Sequence, residues 1–153
     1  IAQRYKDDPR ITVLDEQTLA SSDGGFDAVI VSSVIQYIPR ITLPVTIARW
    51  HHLLAPGGVL VVADVMRPDA GMAEDVGDLL GFAWKEGFLP TALLGLARTF
   101  FSDYRQMRQK LGLARYTEQE FLRLLAVGGF RAEALPENPG PNRHRLGFRG
   151  IKA

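Results

Sequence analysis

Few side chains in this 153-residue chain have both the type and the setting for chemistry, and most of those sit where an apolar run ends. Asp64 closes the run Val59-Leu-Val-Val-Ala63. A carboxylate there can position a hydroxyl or take its proton; it can equally be a strand-end residue paired with Arg67. Ser32, Ser33 and Val34 follow a second run, Phe26-Asp-Ala-Val-Ile-Val31. Tyr37 offers either a hydroxyl that orients a ligand or a ring that packs a helix entry. Asp15, with Glu16 beside it, follows Ile11-Thr-Val-Leu14. An ionised carboxylate only accepts hydrogen bonds, which suits an amino group or, as readily, a turn. His51 and His52 are neighbours in a helical pattern and project about 100° apart, so they do not chelate one metal as an i, i+4 pair does. His144, between Arg143 and Arg145, reads as a surface residue. Cysteine is absent, which removes thiolate nucleophiles and Cys-ligated metals together. No metal site is expected.

The elements that must position these groups alternate in type. Residues 11–14 are rich in β-branched side chains and read as a short strand; the paired glycines at 24 and 25 mark a turn. Residues 26–31 form a nearly continuous apolar run, the pattern of a strand buried on both faces of a parallel sheet. A helix over 43–54 follows, with Ile47, Trp50, Leu53 and Leu54 at helical spacing and Pro44 accommodated in its first turn. Pro56-Gly-Gly58 stops it, and residues 59–63 form a second apolar strand. Strand, helix, strand with short links implies a right-handed parallel crossover. Ser32–34 and Asp64 then share the carboxyl end of the sheet, where doubly wound folds bind ligands. Residues 71–112 are helical in pattern, divided by Gly87 and Pro90. Thr117-Glu-Gln-Glu120 is a capping box with Tyr116 and Phe121 at the staple positions, opening a helix over 118–127 that ends at Gly128-Gly129. Strands over 130–135 and 145–151 are joined through Asn138-Pro-Gly-Pro-Asn142, too short for a crossover helix, so that pair must be antiparallel. The class is α/β.

Composition bounds the partners. Apolar residues make up 46% and charged residues 23%, which excludes disorder. A net charge of +1 gives no basic field for nucleic acid. The apolar stretch 87–97 is too short to span a bilayer, which needs about 20 residues. The chain opens on Ile1-Ala-Gln-Arg-Tyr-Lys6, neither a signal nor a transit peptide, and with no cysteine this points to the cytoplasm. No repeat or linker argues for a second domain, so residues 1–153 are expected to form one.

Three segments together resemble the class I S-adenosylmethionine-dependent methyltransferases that act on small molecules. They are Phe26-Asp-Ala-Val-Ile-Val-Ser-Ser-Val-Ile-Gln-Tyr-Ile-Pro39, Leu53-Leu-Ala-Pro-Gly-Gly-Val-Leu-Val-Val-Ala-Asp64, and Tyr116-Thr-Glu-Gln-Glu-Phe121 leading into Gly128-Gly-Phe130. The resemblance makes these the family's fourth strand and its loop, the turn into its fifth strand, and the helix before its terminal hairpin. It implies a Rossmann-like, doubly wound sheet, mostly parallel with an antiparallel C-terminal hairpin. It also implies that Asp15 or Glu16 meets the adenine and that Ser32, Ser33 and Val34 cover the methionine part of the cofactor. Tyr37 and Asp64 would face the methyl acceptor, and residues 71–112 would form a substrate-side insertion. The aromatic and leucine-rich part of that insertion suits either a lid over a hydrophobic acceptor or ordinary core and dimer contact.

No Gly-x-Gly occurs in the chain, so the family's glycine loop, and the acidic residue that ends its second strand, have no counterpart here. The expectation is an N-terminally truncated domain: a parent protein that methylates a small molecule, and a 153-residue part of it that is inactive and binds S-adenosylmethionine weakly or not at all. The 26–31 strand would have lost its neighbour, the family's first strand. Its open edge predicts either self-association, through that edge or the insertion, or a shift of 11–14 to cover it. Two other readings stay open: a non-catalytic interaction module with this fold, and a different doubly wound enzyme such as a nucleotide-dependent transferase.

Overall fold

A computed structural model describes residues 8–20, 24–69, 77, 80, 81, 84, 85, 87, 90, 113–140 and 142–153. In chain order the elements are α1 (Glu16–Ala20), β1 (Phe26–Ser32), a 3-10 turn (Ile35–Tyr37), α2 (Leu43–Leu53), β2 (Leu54–Val65), α3 (Glu118–Val127), β3 (Phe130–Ala134) and β4 (Leu146–Lys152). The helical reading of 71–112 lies almost wholly outside the described residues.

The four strands form one sheet in the order β1-β2-β4-β3. β1 and β2 run parallel, with Val29 opposite Leu60 and Val31 opposite Val62. α2 makes the crossover between them, as the alternation of elements requires. β4 lies antiparallel to both β2 and β3. Between Phe26 and Ala28 of β1 the partner on β2 jumps from Leu54 to Val59, so Pro56-Gly57-Gly58 loops out of the ladder at the place where the sequence reads a stop.

The core lies between the sheet and α2 and α3. Ile47 of α2 and Phe121 and Leu125 of α3 are buried with Leu60 and Val62 of β2, Phe130 of β3 and Phe148 of β4. α3 starts where its capping box dictates. Glu120 N–H donates to Thr117 Oγ1 at 3.2 Å, and Thr117 N–H donates to Glu120 Oε2 at 3.3 Å. The staple closes as an edge-to-face contact between Tyr116 and Phe121, ring centroids 5.4 Å apart.

Two expectations are corrected. Residues 11–14 are not a strand: Ile11 N–H closes a turn onto Asp8 O, and Ile11, Val13 and Leu14 are exposed. A β-branched segment becomes a strand only when a neighbour supplies the ladder, and among the described residues none lies beside it. Among the described residues the parallel part of the sheet is therefore the β1–β2 pair. Nor is β1 buried on both faces. Val31 is buried, but Ile30, pointing the other way, is 74% exposed. β1 is also the sheet edge, and 11–14 has not moved to cover it.

Candidate functional site

The carboxyl ends of β1 and β2 lie side by side, and the backbone is strained at both. Ser33 has φ +57° and Asp64 φ +63°, and no other described non-glycine residue has positive φ. In the left-handed region an L residue costs about 1–2 kcal/mol, and such residues persist where their surroundings over-determine them. Asp64 sits on a β-bulge. Val62 pairs with Phe148 and Val65 with Leu146, so Ala63 and Asp64 stand opposite Gly147 alone. A bulge re-aims a side chain, and here it turns the carboxylate toward β1 and the hairpin loop.

That carboxylate is only 1% exposed and is satisfied on every side. Oδ2 accepts from Ser33 Oγ at 2.6 Å and from Ser32 Oγ at 3.1 Å. Oδ1 accepts from Asn138 Nδ2 at 2.7 Å, while Asp64 N–H donates to Asn138 Oδ1 at 2.9 Å. Gly140 lies flat against the carboxyl group, in a place where any Cβ would overlap both oxygens. Ser33 is held twice more: its N–H donates to Ala63 O at 3.3 Å, and its carbonyl accepts from Gln36 Nε2 at 2.8 Å. The alternative pairing of Asp64 with Arg67 does not form, because Arg67 pairs with Asp69 at 2.8 Å.

Val34, which opens the 3-10 turn, and Tyr37, which ends it, are each 46% exposed beside this network. Asp15 caps α1, its Oδ1 accepting from Thr18 N–H at 2.7 Å. The hydrogen bonds from Thr18 hold its carboxyl below the usual range. Glu16 is the first residue of α1. The structure therefore joins Ser32, Ser33 and Asp64 by direct bonds and places Val34 and Tyr37 next in the chain. No bond joins Asp15 to them.

A second cluster flanks the site. The Arg40 guanidinium donates to Glu120 Oε1 at 2.6 Å and to Arg115 O, and lies over the Tyr116 ring at 4.4 Å. Tyr116 N–H donates to Met66 O, just past β2, and Ala114 N–H to Gln36 O, so residues 114–116 run along the same edge. Among the described residues two buried side-chain atoms there have no hydrogen-bond partner, Gln36 Oε1 and the Tyr116 hydroxyl. Buried polar groups rarely go unpaired.

Sequence reasoning missed Asn138, Gly140, Asn142 and Gln36. Asn138-Pro-Gly-Pro-Asn142 reads as a turn by composition, and only the fold brings it against Asp64. His51 packs edge-on against Phe130 at 5.0 Å, and burial lowers its pKa. Among the described residues no group of three acidic or histidine side chains could hold a metal, and no helix is long and apolar enough to cross a membrane.

No protein-family model and no curated protein matches the chain. Solved structures do. The 1,6-didemethyltoxoflavin-N1-methyltransferase of Burkholderia thailandensis, with S-adenosylhomocysteine bound, is similar at TM-score 0.55 and 18% identity, over 99% of this chain and 54% of that one. CalO1, a methyltransferase of calicheamicin biosynthesis, is similar at TM-score 0.56 and 12% identity, over 95% and 35%. The CurJ carbon methyltransferase is similar at TM-score 0.55 and 17% identity, over 99% and 38%. The chain thus spans between a third and just over half of each. Across that span it carries the fold of the S-adenosylmethionine-dependent small-molecule methyltransferases.

Proposed function

We propose that the chain is the carboxyl-terminal part of an enzyme that transfers a methyl group from S-adenosylmethionine to a small acceptor. The observation that carries this reading is the pair of strained, hydrogen-bonded strand ends at Ser33 and Asp64, at the edge of a methyltransferase sheet where ligands bind. The cofactor supplies an electrophilic methyl carbon on a sulfonium. When bound, it would offer that carbon to an acceptor's lone pair and leave as the neutral thioether, the acceptor's proton passing to solvent, with residues 32–34 holding its methionine end. The protein's contribution is alignment, which alone supplies much of the rate.

In this reading the backbone of Ser32, Ser33 and Val34 covers the methionine end, and Asp15 or Glu16 meets the adenine. Tyr37 orients the acceptor. Asp64 was expected to position the acceptor or take its proton. Its oxygens already accept from two hydroxyls and an amide, which favours holding Ser33 in place over taking a proton. Gln36 Oε1 and the Tyr116 hydroxyl, unpaired among the described residues, support an acceptor side with polar contacts. The 153 residues alone are inactive in this account, because the glycine loop lies outside them.

Calorimetric titration with S-adenosylhomocysteine tests the reading. The parent protein should bind with micromolar affinity and the 153-residue chain too weakly to measure. A parent that does not bind would favour the interaction-module reading; micromolar binding by the chain would show a second way of holding the ribose.

A further inference from the structure

Asn138 is tied into the site from outside the strands that form it. It uses both N–H groups and its carbonyl: Nδ2 donates to Asp64 Oδ1 and to Asn142 O, each at 2.7 Å, and Oδ1 accepts from Asp64 N–H. Asn142 is buried and accepts from His144 N–H at 3.0 Å, so the hairpin loop is closed on itself as well as on Asp64. The chain of bonds continues from Asp64 Oδ2 to the Ser33 hydroxyl. Serine does not stay left-handed unless held, and this contact comes from the most buried of Ser33's partners.

We infer that Asn138 is a positioning residue: through Asp64 it holds Ser33 in its left-handed conformation and so sets the course of residues 32–34. The consequence for binding rests on the proposed reading of 32–34 as the cofactor-side loop. The hairpin loop, distant in sequence, is on this account part of the cofactor site.

Asn138→Asp tests the inference, because it preserves shape and removes the donor. At about pH 8 two carboxylates then face each other across a hydrogen-bond distance, and Ser33 is released. Like charges that close resist joint ionisation, so on acidification the pair takes up one shared proton early, which restores a donor. Glu137 beside Asn138, Arg143, His144 and Arg145 past the loop, and Arg67 past β2 are the titratable and charged side chains that flank it in the chain. All are present in the wild type, whose own pH profile is the control.

The readout is amide hydrogen exchange at Ser33 and Asp64 in the 153-residue chain, corrected for intrinsic rates. Wild type should be protected at both sites throughout. Asn138→Asp should exchange about tenfold faster or more at about pH 8, the effect of losing the charge-assisted hydrogen bond to Asp64 together with the donation to Asn142 O, and recover in large part by about pH 5.5. The double swap Asp64→Asn with Asn138→Asp should restore most of the protection at about pH 8, since amide and carboxylate change sides and only the donation to Asn142 O stays lost. An unprotected Asp64 amide in wild type, a pH-independent Asn138→Asp, or a swap that behaves like the single variant would overturn the inference. If Asn138→Asp does not fold, the wild-type amide and the swap decide. Protection as expected in a chain whose parent fails to bind S-adenosylhomocysteine upholds the positioning role and removes the proposed function instead.

Discussion

Replacing Gly140 with alanine inserts one methyl group against the Asp64 carboxylate. The added Cβ would lie well inside 3.0 Å of Oδ1, Oδ2 and Cγ, so either the loop or the bulge must move. Either movement stretches the reciprocal Asn138–Asp64 bonds of 2.7 and 2.9 Å and the Asn138–Asn142 bond of 2.7 Å. Neutral hydrogen bonds contribute about 0.5–1.5 kcal/mol and those to a charge about 1.5–3 kcal/mol. With partial relaxation, the expected loss is about 2–4 kcal/mol. For a domain of this size each kcal/mol shifts the midpoint by about 2–4 °C, so the fall should be about 5–15 °C. Gly57→Ala is the matched control. Its φ of +76° makes alanine strained there, but no atom lies within 4 Å of the added Cβ, so it should lose only about 1–2 kcal/mol. Urea and thermal unfolding followed by circular dichroism give both values. A Gly140→Ala protein as stable as Gly57→Ala, or more so, would refute the steric argument and with it the close seating of the loop on Asp64.

Thr117→Ala removes the capping hydroxyl of α3 and should destabilise by about 1 kcal/mol, lowering the thermal midpoint by about 2–4 °C; no shift would mean the cap contributes nothing. Glu120 has its pKa lowered, first by the hydrogen bond from Arg40. A depressed carboxyl contributes stability above its unfolded value, near 4.5, and loses it as pH falls through the folded value. Glu120→Gln keeps the capping box, so it should flatten that part of the acid limb, by little because both side chains are more than a third exposed; an unchanged acid limb would count against the pair. The β1 edge, with Ile30 exposed and no strand beside it among the described residues, should drive concentration-dependent association in sedimentation. A monodisperse monomer whose 27–31 amides exchange freely would contradict that.

What the sequence disclosed was whatever depends on local pattern. The capping box, the staple, the two apolar runs and the tight final connection each fix their element by short-range rules, and α3, β1, β2 and the β3–β4 hairpin follow them. Residues 11–14 show the limit. Their composition favours a strand, but a strand is defined by its neighbour, and the described sheet has none to offer. That Ser32, Ser33 and Asp64 lie together was legible because strand ends in a parallel crossover converge. Asn138 and Gly140 were not, because a loop that reads as an ordinary turn gains its role only when β4 folds back beside β2 and carries it to a bulge. The bulge itself has no signature in Val62-Ala-Asp-Val65, and it is what turns Asp64 inward.

The central claim is that residues 32–34, at the adjoining ends of β1 and β2, form the cofactor side of a methyltransferase. Backbone amide mapping of the parent protein during titration with S-adenosylhomocysteine tests it most directly. The account predicts shifts at Asp15, Glu16, Ser32, Ser33 and Val34, with α3 and the β3–β4 ladder unchanged. Saturable binding that leaves 32–34 unperturbed, or no binding at all, would contradict it.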